Sequence, residues 1–216
     1  MDRKDFSHTP NYCEENVYKL VEQFCSGNTS LSTFYVVFIS NDEKSQVAIW
    51  GQSAGDPQND YFVVWDYHVI LLGTDKHQCL VYDLDTVIGF PVPFRLYQEH
   101  GLRYNAVLPL RLRRLYRVIH SDKYLRHFSS DRRHMRDSTG SGWLASPPPY
   151  KCIRGTLADH EHTLPRYWSM QNPMIDLNQF LGPTSQTDPY GMVLTEPVFF
   201  KLFSSPDQFD FLHHCI

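Results

Sequence analysis

The stretch "YFVVWDYHVILLGTDKHQCLVYDLDTV", residues 61–87, decides the fold class, because its pattern predicts two long strands joined by a turn. Residues 61–72 and 78–87 are rich in β-branched and aromatic side chains, and the "GTDKHQ" between them is polar and contains glycine. We therefore expect an antiparallel hairpin. Side chains on one face of such a pair meet across it, so the register predicts which polar groups come together.

The turn suggests a register in which Leu72 faces Cys79, and His68 then lies opposite Asp83. Their β-carbons would be about 4.5 to 5.5 Å apart, close enough for the carboxylate to accept a hydrogen bond from the imidazole Nδ1. A slip of one residue would undo this pairing, since it turns every side chain to the other face.

The same register pairs Asp66 with Asp85, and two opposed carboxylates repel each other unless a cation or solvent lies between them. Alternation along the strand leaves open whether Asp83 or Asp85 would orient His68.

Outward from the hairpin, the chain predicts a helix followed by further strands. Apolar residues recur with helical spacing between Cys13 and Cys25, at Val17, Leu20, Val21 and Phe24. Residues 33–40 and 46–50 have strand composition. We expect an α/β fold of the α+β type, with a central, mainly antiparallel sheet flanked by helices.

The organisation predicts a single catalytic domain over residues 1–216, with its core at about 11–203. The pattern weakens from Phe90 onward, and no second periodic core is evident after the extended connector "SPPPY" at 146–150. Residues 155–172 have the composition of a surface loop, and residues 204–216 that of a flexible tail.

Composition excludes several classes of protein. The formal net charge is -4 and 42% of the residues are hydrophobic, so a folded chain without affinity for nucleic acid is expected. The basic run "RLRRLYR", residues 111–117, interleaves apolar residues and is interpreted as an amphipathic element with a solvated basic face. No segment has the 18 or so uncharged apolar residues of a membrane span, and no signal sequence is evident; an intracellular, soluble protein is expected.

The five cysteines are odd in number and form no CxxC pair, which argues against a disulfide framework and a structural zinc site. They are expected to be free thiols. His160 and His162 could bind a metal only with ligands from elsewhere, so no metal and no cofactor are predicted.

Cys13 has two interpretations. It could be a small buried side chain at a helix start, or a nucleophile whose pKa is lowered by the helix dipole and a nearby imidazolium. The chain order Cys, His, Asp is the one that papain-like and transglutaminase-like cysteine enzymes use.

Five blocks in order closely resemble the protein N-terminal glutamine amidohydrolases. They are "YCEEN" at 12–16, "WDYHV" at 65–69, "YDLDT" at 82–86, "SDRRHM" at 130–135 and "PPPY" at 147–150. The resemblance implies a cysteine-protease-like α/β fold and a catalytic triad of Cys13, His68 and Asp83, which selects Asp83 over Asp85. Residues 155–172 depart from the family pattern as an extra or lengthened loop.

The resemblance also implies the reaction. The side-chain amide of an N-terminal glutamine in a protein or peptide would become a carboxylic acid through a thioester, as a step in an N-end degradation pathway. The implied enzyme is a monomer of the cytoplasm and nucleus, with no membrane or nucleic-acid partner. A transglutaminase- or papain-like enzyme with another amide substrate is the alternative.

Four further residues are candidates for binding the substrate. Asp66 or Glu14 could hold its α-ammonium group, although Asp66 could be a structural hydrogen-bond acceptor and Glu14 a first-turn helix carboxylate. Tyr12 and Trp65 could wall the pocket or belong to the core. The "SDRRHM" block could fold over the site, or its arginines could be solvated.

Overall fold

A six-stranded antiparallel sheet forms the centre of the protein in the computed structural model, which describes residues 2–26, 33–41, 46–176 and 188–205. The strand order is β10-β7-β1-β4-β5-β6. These strands are β1 (Thr33–Ser40), β4 (His68–Thr74), β5 (Cys79–Tyr82), β6 (Val92–Pro93), β7 (Leu115–His120) and β10 (Met192–Leu194). Two small antiparallel pairs stand apart: β2 (Val47–Ile49) with β3 (Val63–Trp65), and β8 (Ser129–Ser130) with β9 (Ile153–Arg154). The expected mixed α/β class with an antiparallel sheet is confirmed.

Five α-helices surround the sheet in the described part of the chain. They are α1 (Cys13–Ser26), α2 (Phe94–Tyr97), α3 (Ser121–His127), α4 (Leu164–Trp168) and α5 (Glu196–Ser204). A π-helical turn, Gln98–Leu102, follows α2, and short 3-10 turns lie at Arg3–Asp5, Pro57–Asn59, Asn105–Val107, Leu110–Leu112 and Arg133–Met135. None of the helices described is long and apolar enough to cross a membrane.

Both faces of the sheet are covered, which explains why β4 is buried along its whole length. Alternate residues of β1 and β4 belong to two separate cores: Val37 and Ile70 face α5 and the β2–β3 pair, while Phe38 and Leu71 face α1, α3 and α4. Strands buried on both faces are continuously apolar, as "TFYVVFIS" and "HVILL" are.

The hairpin exists, but its expected register is wrong by two residues. Thr74, not Leu72, pairs with Cys79, and the ladder ends at the pair Leu71 and Tyr82. Gly73 and Thr74 continue β4, and the turn is closed by Asp75, whose side chain accepts hydrogen bonds from the backbone N–H groups of residues 77 and 78. A shift of two residues keeps every side chain on its expected face.

Residues 61–72 also do not form one strand. The chain leaves β3 after Trp65 and re-enters the central sheet at His68. Asp66 lies outside both strands, so the expected pairing of Asp66 with Asp85 does not occur.

The surface-loop prediction for residues 155–172 is wrong in its second half. Residues 156, 157 and 159–161 are exposed, but Leu164–Trp168 forms α4, and Leu164, Tyr167 and Met170 are fully buried against the sheet. The spacing of three between these apolar residues indicates a helix, but Pro165 and the polar residues around them make this pattern hard to recognise in the sequence. Of the predicted tail, residue 204 ends α5 and residues 206–216 lie outside the described residues.

The C-terminal part of the described chain contributes to the core on one face of the sheet, although its sequence shows no second periodic core. The short helix α5 contributes Val198, Phe199 and Leu202 to it, and the Phe199 ring stacks on Tyr116 with the centroids 4.1 Å apart.

Arg114 corrects the interpretation of the basic run as a solvated face. It is 1% exposed, and its guanidinium donates to the carbonyls of Ala48, Leu102 and Arg103 and to the Glu196 carboxylate, 3.2 Å away. One cation thus ties β2, the π-helical turn and the start of α5 together. Its planar array of five donors suits this role, which an ammonium could not fill.

Arg114→Met is expected to lower the free energy of unfolding by about 3 kcal/mol or more, because Glu196 would keep a buried, unpaired charge. Urea unfolding followed by circular dichroism measures this. Arg113→Met is the matched control, since Arg113 is the exposed neighbour and its loss should cost well under 1 kcal/mol. Equal effects in the two variants would contradict the role of Arg114.

Candidate active site

Cys13 is the first residue of α1, and the helix start is held by two sets of hydrogen bonds. The backbone N–H of Asn16 donates to the Tyr12 carbonyl, 2.9 Å away. The Asn16 side chain also exchanges two 2.8 Å hydrogen bonds with the backbone of Thr9. Because α1 packs on β4, its first residue comes to the end of the sheet where β4 begins, at His68.

Cys13 and His68 line one pocket of about 290 Å³ at this end of the sheet. Asp66 and Asp85 give its wall a negative charge, and among the described residues no lysine or arginine lines it. Trp65, Tyr67, Met135, Leu144 and Ala145 supply the apolar part. Two larger, more open grooves lie elsewhere, but no cysteine or histidine of the described residues lines either of them.

His68 and Asp83 form a buried pair. The distance from His68 Nε2 to Asp83 Oδ1 is 3.0 Å, and both side chains are 1% exposed. The sequence predicted contact through Nδ1 instead. Asp83 lies just past the end of β5 rather than opposite His68 in the ladder, and from there it reaches Nε2. Since the ionised carboxylate can only accept, Nε2 carries the proton and Nδ1 is the acceptor.

The Asp83 carboxylate is surrounded by donors. Gln52 Nε2 and the Tyr97 hydroxyl donate to its Oδ2 over 2.9 and 2.8 Å, and the backbone N–H of Asp85 donates to Oδ1 over 2.9 Å. Burial alone would raise the pKa of Asp83, but the charge of His68 and these hydrogen bonds hold that pKa below its usual range. The group is therefore a carboxylate at neutral pH.

The pKa of His68 is raised, although burial acts in the opposite direction, because the charge and hydrogen bond of Asp83 favour the imidazolium. The Trp65 ring stacks on the imidazole with the centroids 5.8 Å apart and the planes 14° apart, and Trp65 Nε1 donates to Gln52 Oε1 over 3.2 Å. Trp65 thus forms a wall of the pocket and, through Gln52, connects to the carboxylate behind the imidazole.

The environment of Cys13 contradicts the expected lowering of its pKa. Burial raises the pKa of the thiol well above its ordinary value, and the charges of Glu14, Asp85 and Asp66 raise it further. A hydrogen bond from the backbone N–H of Val69 acts in the other direction. The resting side chain is a neutral thiol, which lies 3.7 Å from Glu14 Oε2 and donates to it.

The other candidate residues separate into two groups. Asp66 lines the pocket, and partial desolvation of its carboxyl group raises its pKa although one oxygen accepts from the backbone N–H of Tyr67. Glu14 and Tyr12 are fully buried and do not line the pocket. Tyr12 instead donates its hydroxyl proton to the carbonyl of Ala145, over 3.1 Å.

The "SDRRHM" block contributes Met135 to the pocket, and its two arginines differ in burial. Arg132 is buried and makes a bidentate ion pair with Glu15 of α1, with both distances 2.8 Å. Arg133 is exposed and pairs with Asp131, and Arg136 lies on the Trp143 ring.

His68, Asp83 and Asp85 hold ligand-type atoms within 4.8 Å of one another. Asp83 already accepts four hydrogen bonds, however, and Asp85 Oδ1 lies 2.7 Å from His8 Nε2. The donor set therefore suits an oriented imidazole better than a metal ion.

Gln52, Tyr97 and His8 were not predicted from the sequence. Gln52 and Tyr97 are 31 and 14 residues from Asp83 along the chain and carry no local signal of their contact. Only the fold brings them to the carboxylate.

Comparison with known proteins identifies the family of the chain. Residues 8–203 match the family model described as N-terminal glutamine amidase. The protein N-terminal glutamine amidohydrolase of Bos taurus is 38% identical over 196 residues, which are 90% of this chain and 85% of the relative. Those of Arabidopsis thaliana and Homo sapiens are 43% and 45% identical, covering 71% and 66% of this chain and 71% and 68% of their own lengths. The protein belongs to the N-terminal glutamine amidase family.

Proposed function

We propose that this protein hydrolyses the side-chain amide of an N-terminal glutamine to a carboxylic acid, releasing ammonia. The observation that carries the proposal is the shared pocket of Cys13 and His68, with Asp83 bonded behind the imidazole, in a chain of this family. The relatives carry the name protein N-terminal glutamine amidohydrolase, and all three side chains required for cysteine-based amide hydrolysis are present.

In the first half of the reaction, the Cys13 sulfur attacks the amide carbon while its proton passes to Nδ1 of His68. The resulting imidazolium is stabilised by Asp83, which keeps its own charge. His68 then returns the proton to the leaving nitrogen, so that ammonia departs and a thioester remains on Cys13. The raised pKa of the resting thiol means that the base is needed for attack.

In the second half, neutral His68 takes a proton from water, and the hydroxide equivalent attacks the thioester carbon. The carbon–sulfur bond breaks, the carboxylic acid leaves and Cys13 regains its proton. The backbone N–H of Cys13 is one donor for the oxyanion, since the first N–H groups of a helix have no carbonyl one turn earlier. Water is the only co-reactant, so no cofactor is required.

Selection for a chain terminus is assigned to Asp66. A substrate that begins with glutamine brings an α-ammonium group into a pocket whose charged wall is formed by Asp66 and Asp85. Asp85 is paired with His8, whereas Asp66 is exposed toward the pocket. Glu14, the other carboxylate considered, is buried behind the nucleophile.

The product carries an N-terminal glutamate. We place this reaction in an N-end degradation pathway, where that glutamate is the group to be arginylated, and we expect a monomer of the cytoplasm and nucleus.

The first test compares a peptide that begins with glutamine, its N-acetylated form and a peptide that begins with asparagine. Ammonia release and the mass change from amide to acid are followed for the wild type and for Cys13→Ala. Conversion of the free glutamine peptide alone, abolished in the variant, is expected. Conversion of the acetylated form or cleavage of the main chain would instead favour a transglutaminase- or papain-like activity.

Asp66→Asn is expected to raise KM for the free glutamine peptide roughly 10- to 100-fold, because a charged hydrogen bond to the ammonium is lost. The preference over the acetylated peptide should fall by a similar factor. Asp122→Asn, an exposed change on α3, serves as the control and should leave both values unaltered. An unchanged preference in Asp66→Asn would remove Asp66 from this role.

Tyr97→Phe is expected to reduce kcat about five- to tenfold with little change in KM, because Asp83 loses one donor and holds His68 less firmly. Steady-state kinetics on the glutamine peptide measure this. Tyr18→Phe removes a buried hydroxyl that bonds to the Leu125 carbonyl instead and should leave kcat close to the wild-type value. A similar fall in both variants would indicate a general loss of packing.

A further inference from the structure

Glu14 is a fully buried carboxylate next to the nucleophile that the proposed reaction does not use. Its Oε2 accepts the Tyr67 hydroxyl over 3.0 Å and the Cys13 thiol over 3.7 Å. Its Oε1 is buried without a hydrogen-bond partner. A buried carboxylate in this arrangement is stabilised by a cation nearby.

Within the described part of the chain, His134 is the only basic side chain within 4 Å of this carboxylate. Its Nε2 lies 3.4 Å from Glu14 Oε1, and its side chain is 10% exposed. Neither ring nitrogen of His134 has an aligned hydrogen-bond partner. If Nε2 of His134 carried a proton, it and Glu14 Oε1 would each have a charged partner.

A second imidazole lies against the first. The rings of His134 and His162 stack with their centroids 5.7 Å apart, and His162 Nδ1 is 3.3 Å from Asp131 Oδ1. Asp131 already pairs with Arg133, whereas no basic side chain of the described residues other than His134 lies within 4 Å of the Glu14 carboxylate. Burial lowers the pKa of His162, the charge of Asp131 acts in the opposite direction, and His134 and Arg133 lower the pKa again. By position, His134 rather than His162 is the ring placed to balance the Glu14 charge.

Further charged and titratable groups around this cluster come from six parts of the chain. They are Tyr12, Cys13 and Glu15 at the start of α1, Asp66 and Tyr67 before β4, Tyr124 of α3, Asp131, Arg132 and Arg133 before His134, Tyr150 before β9, and His162 before α4. Arg132 and Glu15 neutralise each other in their bidentate pair. The Glu14–His134 pair is thus the ion pair beside the Cys13 sulfur whose net charge depends on a single proton.

We propose that His134 is a positioning residue that sets the reactivity of the Cys13 thiol through Glu14. When His134 is an imidazolium, it balances the Glu14 charge, and the thiolate forms more readily. When His134 is neutral, the bare carboxylate next to the sulfur opposes the thiolate. Among the charged groups near the sulfur, Glu14 has the largest effect on it, which agrees with this coupling.

The inference rests on the proposed function only in naming Cys13 the nucleophile, and its test requires no turnover. Iodoacetamide is the probe: the Cys13 thiolate displaces iodide and forms a thioether. The rate is measured against pH by mass spectrometry of the peptide that contains Cys13, which separates it from the exposed Cys25 and Cys152. A missing glutamine activity would leave this measurement intact.

His134→Gln is expected to move the midpoint of the alkylation profile upward by about one pH unit, or about tenfold slower alkylation at pH 7, since loss of a nearby opposite charge favours the uncharged thiol. Glu14→Gln should move it downward. With Glu14→Gln already present, adding His134→Gln should produce little further shift, because the carboxylate through which it acts is absent.

His77→Gln is the matched control. His77 is exposed in the turn at the far end of β4 from His68, and its replacement should leave the midpoint unchanged. An unchanged midpoint in His134→Gln, or an equal shift in the presence and absence of Glu14, would overturn the proposal. If His134→Gln does not fold, an unchanged midpoint in Glu14→Gln alone would do the same.

Discussion

The buried carboxylate of Asp83 is the constraint on which the site depends. A charge without access to water is tolerated only when donors surround it, and here the donors come from separate parts of the fold. Gln52 follows β2, Tyr97 ends α2 and His68 begins β4. The position of the imidazole therefore depends on the central sheet, on the small β2–β3 pair and on helix α2.

The same rule explains why much of the irregular backbone is ordered. Arg114 joins β2, the π-helical turn and the start of α5 by donating to backbone carbonyls and to Glu196. Arg132 links the segment that carries Met135 to α1 through Glu15. Each guanidinium is nearly inaccessible to solvent, and each has a carboxylate partner. Buried ion pairs of this kind contribute little net stability compared with apolar packing, but losing one partner is costly, so they specify one arrangement of the loops.

Sequence reasoning succeeded where the signal was local and periodic. The helix at Cys13 and the strand Thr33–Ser40 follow from apolar spacing, and the contact of His68 with Asp83 follows from alternation within a hairpin. The register used to predict this contact was wrong by two residues. Because side chains alternate between the two faces of a strand, a shift of two left His68 and Asp83 on the same face.

The predictions that were wrong concerned residues whose contacts lie far away along the chain. Arginines in a basic run are solvated unless the fold brings carbonyls and a carboxylate to them, and α5 with Glu196 lies 82 residues beyond Arg114. The environment of Cys13 shows the same limit: a helix start predicts a lowered thiol pKa, but the burial and the carboxylates that raise it appear only in three dimensions.

The position of Asp66 at the pocket wall has a consequence for the chemistry of the substrate itself. A glutamine at a chain terminus can react with itself: its free amine attacks its own side-chain carbonyl, closes a five-membered lactam and expels ammonia, leaving no amine to recognise. That cyclisation needs the nitrogen lone pair. In the proposed reaction, an α-amine held as an ammonium ion against Asp66 has no lone pair to donate. A carboxylate that recognises the terminus would therefore also protect the bound glutamine from this side reaction until the Cys13 sulfur attacks.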